Sequence, residues 1–307
     1  SRPMARIVKP LTQMGAQIMG RECDTLAPLS IRGGDLKAIH YTMPVASAQL
    51  KSSILIAGLC ADGETVLEQP VASRDHTERM MMAMGAQLET DGLNVSIRRS
   101  ELNSINVRVP GDMSSAAFWL VAASCHPNSS IRLPRVGINS TRTGVIDVLQ
   151  AMGARVRLEN IQDHRGEPVA DIVAESSDLV ATEIGGEVIP RVIDEIPILA
   201  VAACFARGTT VIKDAAELRF KESDRINATV EALRKLGATV EERRDGMVVV
   251  GGSSLQGAAI RSHGDHRIAI SMAIAGLVAK GDTVVEGADA ADVSYPGFWE
   301  TLQSLSK

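Results

Sequence analysis

A tripeptide that recurs at a helix end constrains this 307-residue chain more than any other feature. Met14-Gly15-Ala16, Met84-Gly85-Ala86 and Met152-Gly153-Ala154 are joined by the near copy Leu236-Gly237-Ala238, with glycines 70, 68 and 84 residues apart. Each closes a stretch of amphipathic helical spacing, such as residues 143–152, and each but the first leads directly into a β-type run: 87–95, 155–158 and 239–242. A glycine just past the last apolar position is the expected helix stop, because it enters the left-handed region without a Cβ clash. Self-similarity at this period predicts stacked supersecondary units.

A second kind of helix precedes each stop by about 40 residues in residues 47–58, 114–123 and 194–206, and recurs at 265–276. These segments are Ala-rich and apolar nearly all round, so they are expected to be buried. Short β-branched runs such as 130–133 and 209–212 lie between the two helix types. The unit is therefore buried helix, strand, amphipathic helix, strands. Residues 1–20 supply an amphipathic helix without a buried partner, and the chain lacks an initiator Met. A fragment is the expectation, with the preceding part of the first unit missing.

Composition narrows the class. With 45% hydrophobic and 22% charged residues and a net charge of −5, the chain reads as a soluble globular protein. Its length favours two domains. The longest apolar run, 198–206, is nine residues, about half of the roughly 18 that suggest a membrane span. No apolar core follows the early basic residues Arg2, Arg6 and Lys9, so a secretory signal is unsupported and a cytoplasmic setting is expected. The four cysteines form no CxxC pair, and Cys60, Cys125 and Cys204 sit in apolar segments where a thiol packs as a small hydrophobe, a structural role favoured over redox or metal chemistry. Eight aromatics in an acidic chain argue against nucleic-acid stacking.

Charges at the helix starts carry the functional signal. A cap-type residue stands beside an arginine at Ser1-Arg2, Ser73-Arg74-Asp75, Ser140-Thr141-Arg142 and Ser223-Asp224-Arg225. A cation there opposes the helix dipole by about 0.3–1 kcal/mol, so something is expected to offset it. An anion held jointly by helix N–H groups and a guanidinium would do so. Asp265-His266-Arg267 repeats the arrangement at a buried helix. The plainer alternative is surface arginines paired with local acids such as Asp75 and Asp224.

Six elements together resemble the 5-enolpyruvylshikimate-3-phosphate synthase family: Ser47-Ala48-Gln49-Leu50-Lys51, Arg74-Asp75-His76-Thr77-Glu78, Asn139-Ser140-Thr141-Arg142, Ile193-Asp194-Glu195, Lys221-Glu222-Ser223-Asp224-Arg225 and Asp265-His266-Arg267. The SAQxK, RxHxE and NxTR patterns are similar to its second class. The resemblance implies an inside-out α/β barrel with repeated βαβαββ units in two domains that close over substrate. A partial N-terminal, shikimate-phosphate-binding domain would span residues 1–109 and a C-terminal catalytic domain residues 110–307. The crossing would fall near Pro110-Gly111, where a strand ends and a helix starts. About the first 120 residues of the family pattern would be absent.

The implied reaction moves the enolpyruvyl group of phosphoenolpyruvate (PEP) to the 5-hydroxyl of shikimate 3-phosphate. Ser47, Ala48, Gln49, Arg74, Asp194 and Lys221 match the shikimate 3-phosphate site, and Arg2, Arg225 and Arg267 match PEP ligands. Asp194 would accept the hydroxyl proton and Glu222 would handle the proton at C3. No metal or organic cofactor is implied, and the partners are the two small-molecule substrates, with no nucleic acid or membrane and a monomer when complete. Near the C-terminus Val293 stands where the first class carries a PEP-binding Lys. Taken singly, Asp194 reads as a helix N-cap, Glu222 beside Lys221 as a solvated face, His266 as a capping or packing residue, and His76 as a partner of Glu78. Two other readings compete: a UDP-amino-sugar enolpyruvyl transferase, and a non-catalytic fragment that needs a complementary N-terminal chain. Undetectable turnover by the isolated chain is the expectation.

Overall fold

The computed structural model describes residues 4–252 and 254–305, so Arg2 lies outside the described residues. Two compact units divide it: Ser1–Val109 with Asp163–Glu167, and Pro110–Gln162 with Pro168–Lys307.

In the first unit, α1 (Ala5–Gln13) precedes β1 (Gln17–Gly20), the one-turn α2 (Arg21–Asp24) and β2 (Leu26–Arg32), the two strands forming an antiparallel pair. Then come β3 (His40–Thr42), α3 (Ala48–Gly58), β4 (Glu64–Glu68), α4 (His76–Ala83), β5 (Leu88–Asp91) and β6 (Asn94–Arg98). Their sheet runs β3-β4-β6-β5, parallel across the first pair and antiparallel across the others.

The second unit opens with α5 (Met113–Cys125), β7 (Ser130–Gly137), α6 (Gly144–Ala151), β8 (Arg155–His164) and β9 (Glu167–Glu175), whose strands order β7-β9-β8. It continues through β10 (Glu183–Ile184), α7 (Ile189–Val192), α8 (Ile196–Phe205), β11 (Thr209–Ile212), α9 (Arg225–Lys235), β12 (Thr239–Arg243) and β13 (Gly246–Val250). The order β10-β11-β13-β12, with the same parallel and antiparallel pairings, repeats the four-stranded sheet of the first unit. β14 (Ala259–Arg261), α10 (His266–Val278), β15 (Val284–Glu286) and α11 (Phe298–Leu305) complete it.

The recurring tripeptide builds the same helix end four times. Gly15, Gly85, Gly153 and Gly237 have φ of +104°, +92°, +85° and +85°. Each glycine N–H donates three residues back and each following alanine N–H five residues back, as in Gly153 to Gln150 O at 2.9 Å and Ala154 to Leu149 O at 2.8 Å. These paired bonds satisfy carbonyls that the helix leaves open. The carbonyl of the residue before each glycine then takes the N–H of Lys37, Asn103, Val180 or Gln256, at 2.8 Å in all four cases. The tripeptide therefore ends a helix and also docks the chain that starts the next repeat.

Burial follows the two helix types in the second unit. α5, α8 and α10 pack on one another at its centre, with residues such as Leu120, Leu199, Ala200 and Ile274 fully buried. Alanines let these helices approach, and each fully buried Leu or Ile contributes about 1.5–3 kcal/mol. In the first unit the expectation of an all-round buried helix fails, because α3 leaves Ile56 57% exposed. Among the described residues α3 packs on α1, β4 and β6, which leave Ile56 uncovered. No strand ends at Pro110: residues 99–110 have no regular structure, and Gly111 makes a single isolated bridge to Val136 before α5 begins. No helix among the described residues is long and apolar enough to cross a membrane.

Candidate functional site

Four aspartate and serine caps set the helix starts from which the candidate residues project. Ser47 caps α3 through Leu50 N–H at 3.3 Å, and Asp112 caps α5 through Ser115 N–H at 2.9 Å. Asp224 caps α9 through Asn227 N–H at 3.1 Å, and Asp265 caps α10 through Arg267 N–H at 2.9 Å. Ser73, Ser140 and Ser223 are not caps. The observed N-caps of α4, α6 and α9 are Asp75, Thr143 and Asp224.

The second unit gathers Asp194, Lys221, Glu222, Arg225 and Arg267 from three segments of chain. Arg225 is only 1% exposed and organises them. Its Nε donates to Asp265 Oδ2 at 2.8 Å, Nη1 to Asp194 Oδ1 at 3.2 Å and Nη2 to Glu222 Oε2 at 2.6 Å. Lys221 Nζ lies 3.1 Å from Glu217 and 3.9 Å from Asp194, and Arg267 Nη1 donates to the Asp194 carbonyl at 3.0 Å. Asp194 is thus no helix cap: Glu195 holds the N-cap position of α8, without a side-chain cap bond. Glu222, 34% exposed at its side chain, is the most open of Arg225's three carboxylates.

Burial pushes the Asp265 carboxyl up, but the hydrogen bond and charge of Arg225, with the Arg267 N–H and the Ser223 hydroxyl, leave it below the usual carboxylate range. His266, half-buried at the start of α10, is held below its ordinary value by burial and then by the Arg267 charge.

The same arrangement recurs one repeat earlier around residues that sequence reading left without a role. Arg142 Nη2 donates to Ser114 Oγ, which donates to Glu195 Oε1 at 2.5 Å. Arg142 and Arg267 lie 3.5 and 3.6 Å from that carboxylate. The signal was available, since Arg142 and Arg225 precede their glycines Gly153 and Gly237 by 11 and 12 residues. Arg142, Lys221, Arg225 and Arg267 stand among Asp112, Asp194, Glu195, Glu217, Glu222 and Asp265, four cations among six carboxylates. Part of the plainer alternative holds, since arginines here do pair with local acids: Arg79 with Asp75, Arg219 with Asp224 and Arg225 with Glu222.

In the first unit, Ser47 is the N-cap of α3 and Ala48 and Gln49 open its first turn, with Gln49 exposed, while Arg74 precedes Asp75, the N-cap of α4. A buried ion pair, Lys51 Nζ to Glu78 Oε1 at 2.5 Å, joins the two helices, assisted by Lys51 to Ser73 O at 3.3 Å and Ser52 to Thr77 at 2.6 Å. Gln69 Oε1 accepts from both the N–H and the hydroxyl of Ser73, fixing the residue before Arg74. Arg6 Nη1 reaches Ser47 Oγ at 3.5 Å. His76 pairs with Glu167 at 2.7 Å and not with Glu78, whose carboxylate is turned inward to Lys51. Val293 is 81% exposed, while Tyr295 beyond it takes the Trp119 indole N–H at 2.8 Å.

The sequence profile of EPSP synthase (3-phosphoshikimate 1-carboxyvinyltransferase) matches residues 1–302. Proteins named 3-phosphoshikimate 1-carboxyvinyltransferase are similar: that of Synechococcus elongatus is 55% identical over 99% of this chain and 69% of its own length. The corresponding values for Bacillus cereus are 55%, 100% and 72%. The structure of EPSP synthase from Acinetobacter baumannii superposes with a TM-score of 0.90 at 43% identity, over 99% of this chain and 71% of that one. The enolpyruvyl transferase NikO from Streptomyces tendae shares the fold, with a TM-score of 0.80 at 18% identity over 99% of this chain and 71% of its own.

Proposed function

The chain belongs to the EPSP synthase family, and from that premise we propose how its residues serve the transfer of enolpyruvyl from PEP to the 5-hydroxyl of shikimate 3-phosphate with release of phosphate. Protonation at C3 of PEP makes C2 electrophilic, the 5-hydroxyl attacks C2, and loss of phosphate with return of the C3 proton restores the double bond. Two proton-handling groups are required. Asp194 takes the hydroxyl proton, oriented by Arg225 and Lys221 on one side of its carboxylate. Glu222 handles the C3 proton, and its partial exposure leaves it reachable by substrate.

Arg225 and Arg267 bind the PEP carboxylate, and Arg2 its phosphate. Arginine suits this role because it stays charged and binds bidentately. Since every nitrogen of Arg225 already faces a carboxylate, Glu222 is the partner that gives way when PEP arrives. Ser47, Ala48, Gln49, Arg74, Lys221 and Asp194 are assigned to shikimate 3-phosphate. The first unit is read as the shikimate-phosphate-binding domain, the second as catalytic, and the SAQxK, RxHxE and NxTR elements as marks of the second class. A cytoplasmic setting suits its four free thiols.

The observation that carries these assignments is the hydrogen-bonded meeting of Asp194, Glu222, Arg225 and Arg267. The test is phosphate release from PEP and shikimate 3-phosphate, with Asp194→Asn and Glu222→Gln each expected to lower kcat by at least about 100-fold with KM changed far less. Running the assay with and without a complementary N-terminal chain reads out whether one is required. No release in either arm overturns the substrate assignment; wild-type kcat in either variant overturns that residue's role.

A further inference from the structure

Of the arginines at the amphipathic helix starts, Arg142 has no role in the scheme above, yet it is buried. Its Nη2 meets Ser114 Oγ and comes within 3.5 Å of both Glu195 Oε1 and the exposed cap Asp112. Glu195 is fully buried, and its Oε1 accepts from Ser114 and lies 3.5 Å from Arg142 and 3.6 Å from Arg267. Arg267 in turn donates to the carbonyl of Asp194, the residue adjoining Glu195. A carboxylate buried beside Arg267 alone would form a closed pair with it and compete with any incoming anion. Shared with Arg142, the same carboxylate is already balanced, so it orients the Arg267 guanidinium while leaving its charge available.

We infer that Arg142, through Ser114 and Glu195, is a positioning residue that sets Arg267 for the carboxylate of PEP. This rests on the reading of Arg267 as a PEP ligand. Arg142 touches neither Arg267 nor Asp194 with a hydrogen bond, so its influence on substrate runs through Glu195. The corresponding residue one repeat later, Arg225, makes its pair with Asp265 directly, which is why Arg225 reaches the reacting groups and Arg142 does not.

Steady-state kinetics of the whole chain, in whichever assay arm turns over, test the inference. Arg142→Met is expected to raise KM for PEP about 10-fold, with KM for shikimate 3-phosphate within about 2-fold, and Arg142→Lys to recover most of the loss. In an Arg267→Ala background, Arg142→Met should add less than about 2-fold, because its route of action is already cut. Equal rises in both KM values, or full additivity with Arg267→Ala, overturn the inference and leave Arg142 a structural residue. Should Arg142→Met fail to fold, Ser114→Ala interrupts the relay without stranding a charge, and a wild-type KM for PEP in that variant overturns the inference. If Arg267→Ala itself leaves KM for PEP unchanged, it is the assignment of Arg267 that fails.

Discussion

Arg225 and Asp265 stand 40 residues apart in the chain and meet in the interior, Nε to Oδ2 at 2.8 Å, with the guanidinium 1% and the carboxylate 0% exposed. Removing two such ions from water costs several kcal/mol each, offset only when their remaining valences are met. Here they are: Ser223 donates to Asp265 Oδ2 at 3.1 Å, and Asp194 and Glu222 accept from Arg225. One pair thus anchors α10 to α9 and holds the candidate proton-handling groups in place.

Breaking that pair from one side leaves an uncompensated buried charge. Asp265→Asn is expected to lower stability by about 3–5 kcal/mol, measured as the shift in the urea unfolding midpoint at constant slope. A change below about 1 kcal/mol would show that water replaces the lost partner.

Acid stability should have two steps. His266 has a folded pKa below its ordinary 6.5, so between those values the unfolded chain binds the extra proton and stability falls as pH falls. Asp265 has a lowered folded pKa; its contribution is full above the unfolded value of about 3.9 and is lost as pH falls through the folded value. Urea unfolding at pH 7.5 and 5.5 should show a loss that His266→Gln diminishes. An undiminished loss in that variant would assign it elsewhere.

Two glycines with different constraints should respond differently to alanine. Gly237 has φ +85° and open space, its nearest atom 4.0 Å from an added Cβ, so Gly237→Ala should cost about 1–2 kcal/mol from backbone strain alone. At Gly246 the Cβ would stand 2.0 Å from the Ile212 carbonyl oxygen, across the β11–β13 pairing. Thermal melting should rank Gly246→Ala well below Gly237→Ala; the reverse order would contradict the sheet register.

At the first unit, Arg74→Ala should weaken shikimate 3-phosphate binding by about 1.5–3 kcal/mol, the range for a hydrogen bond to a charged group. Calorimetric titration measures it, and unchanged affinity removes Arg74 from the site. Lys51→Met should reduce stability as well, because Glu78 then remains buried without its cation.

The repeat was legible because its causes are local. A glycine that must take positive φ, an alanine whose N–H closes the last turn, and a helix apolar on one face or all round are written in consecutive residues. So the helix ends at Gly15, Gly85, Gly153 and Gly237 and strands such as 209–212 could be read directly. The exposed side of α3 could not, because covering a helix depends on which neighbours the fold supplies.

The site divides along the same line. Sequence order and residue type, with the family resemblance, were enough to nominate Asp194, Glu222, Arg225 and Arg267. They could not tell that Arg225 is turned inward, or that Arg142, Ser114 and Glu195 stand behind Arg267, since those partners lie 28 to 81 residues apart in the chain. Local composition determined where helices stop and which residue types gather at their starts. Which charge neutralises which was decided only by tertiary packing, because a buried ion is stable only where the fold brings an opposite charge within hydrogen-bonding distance.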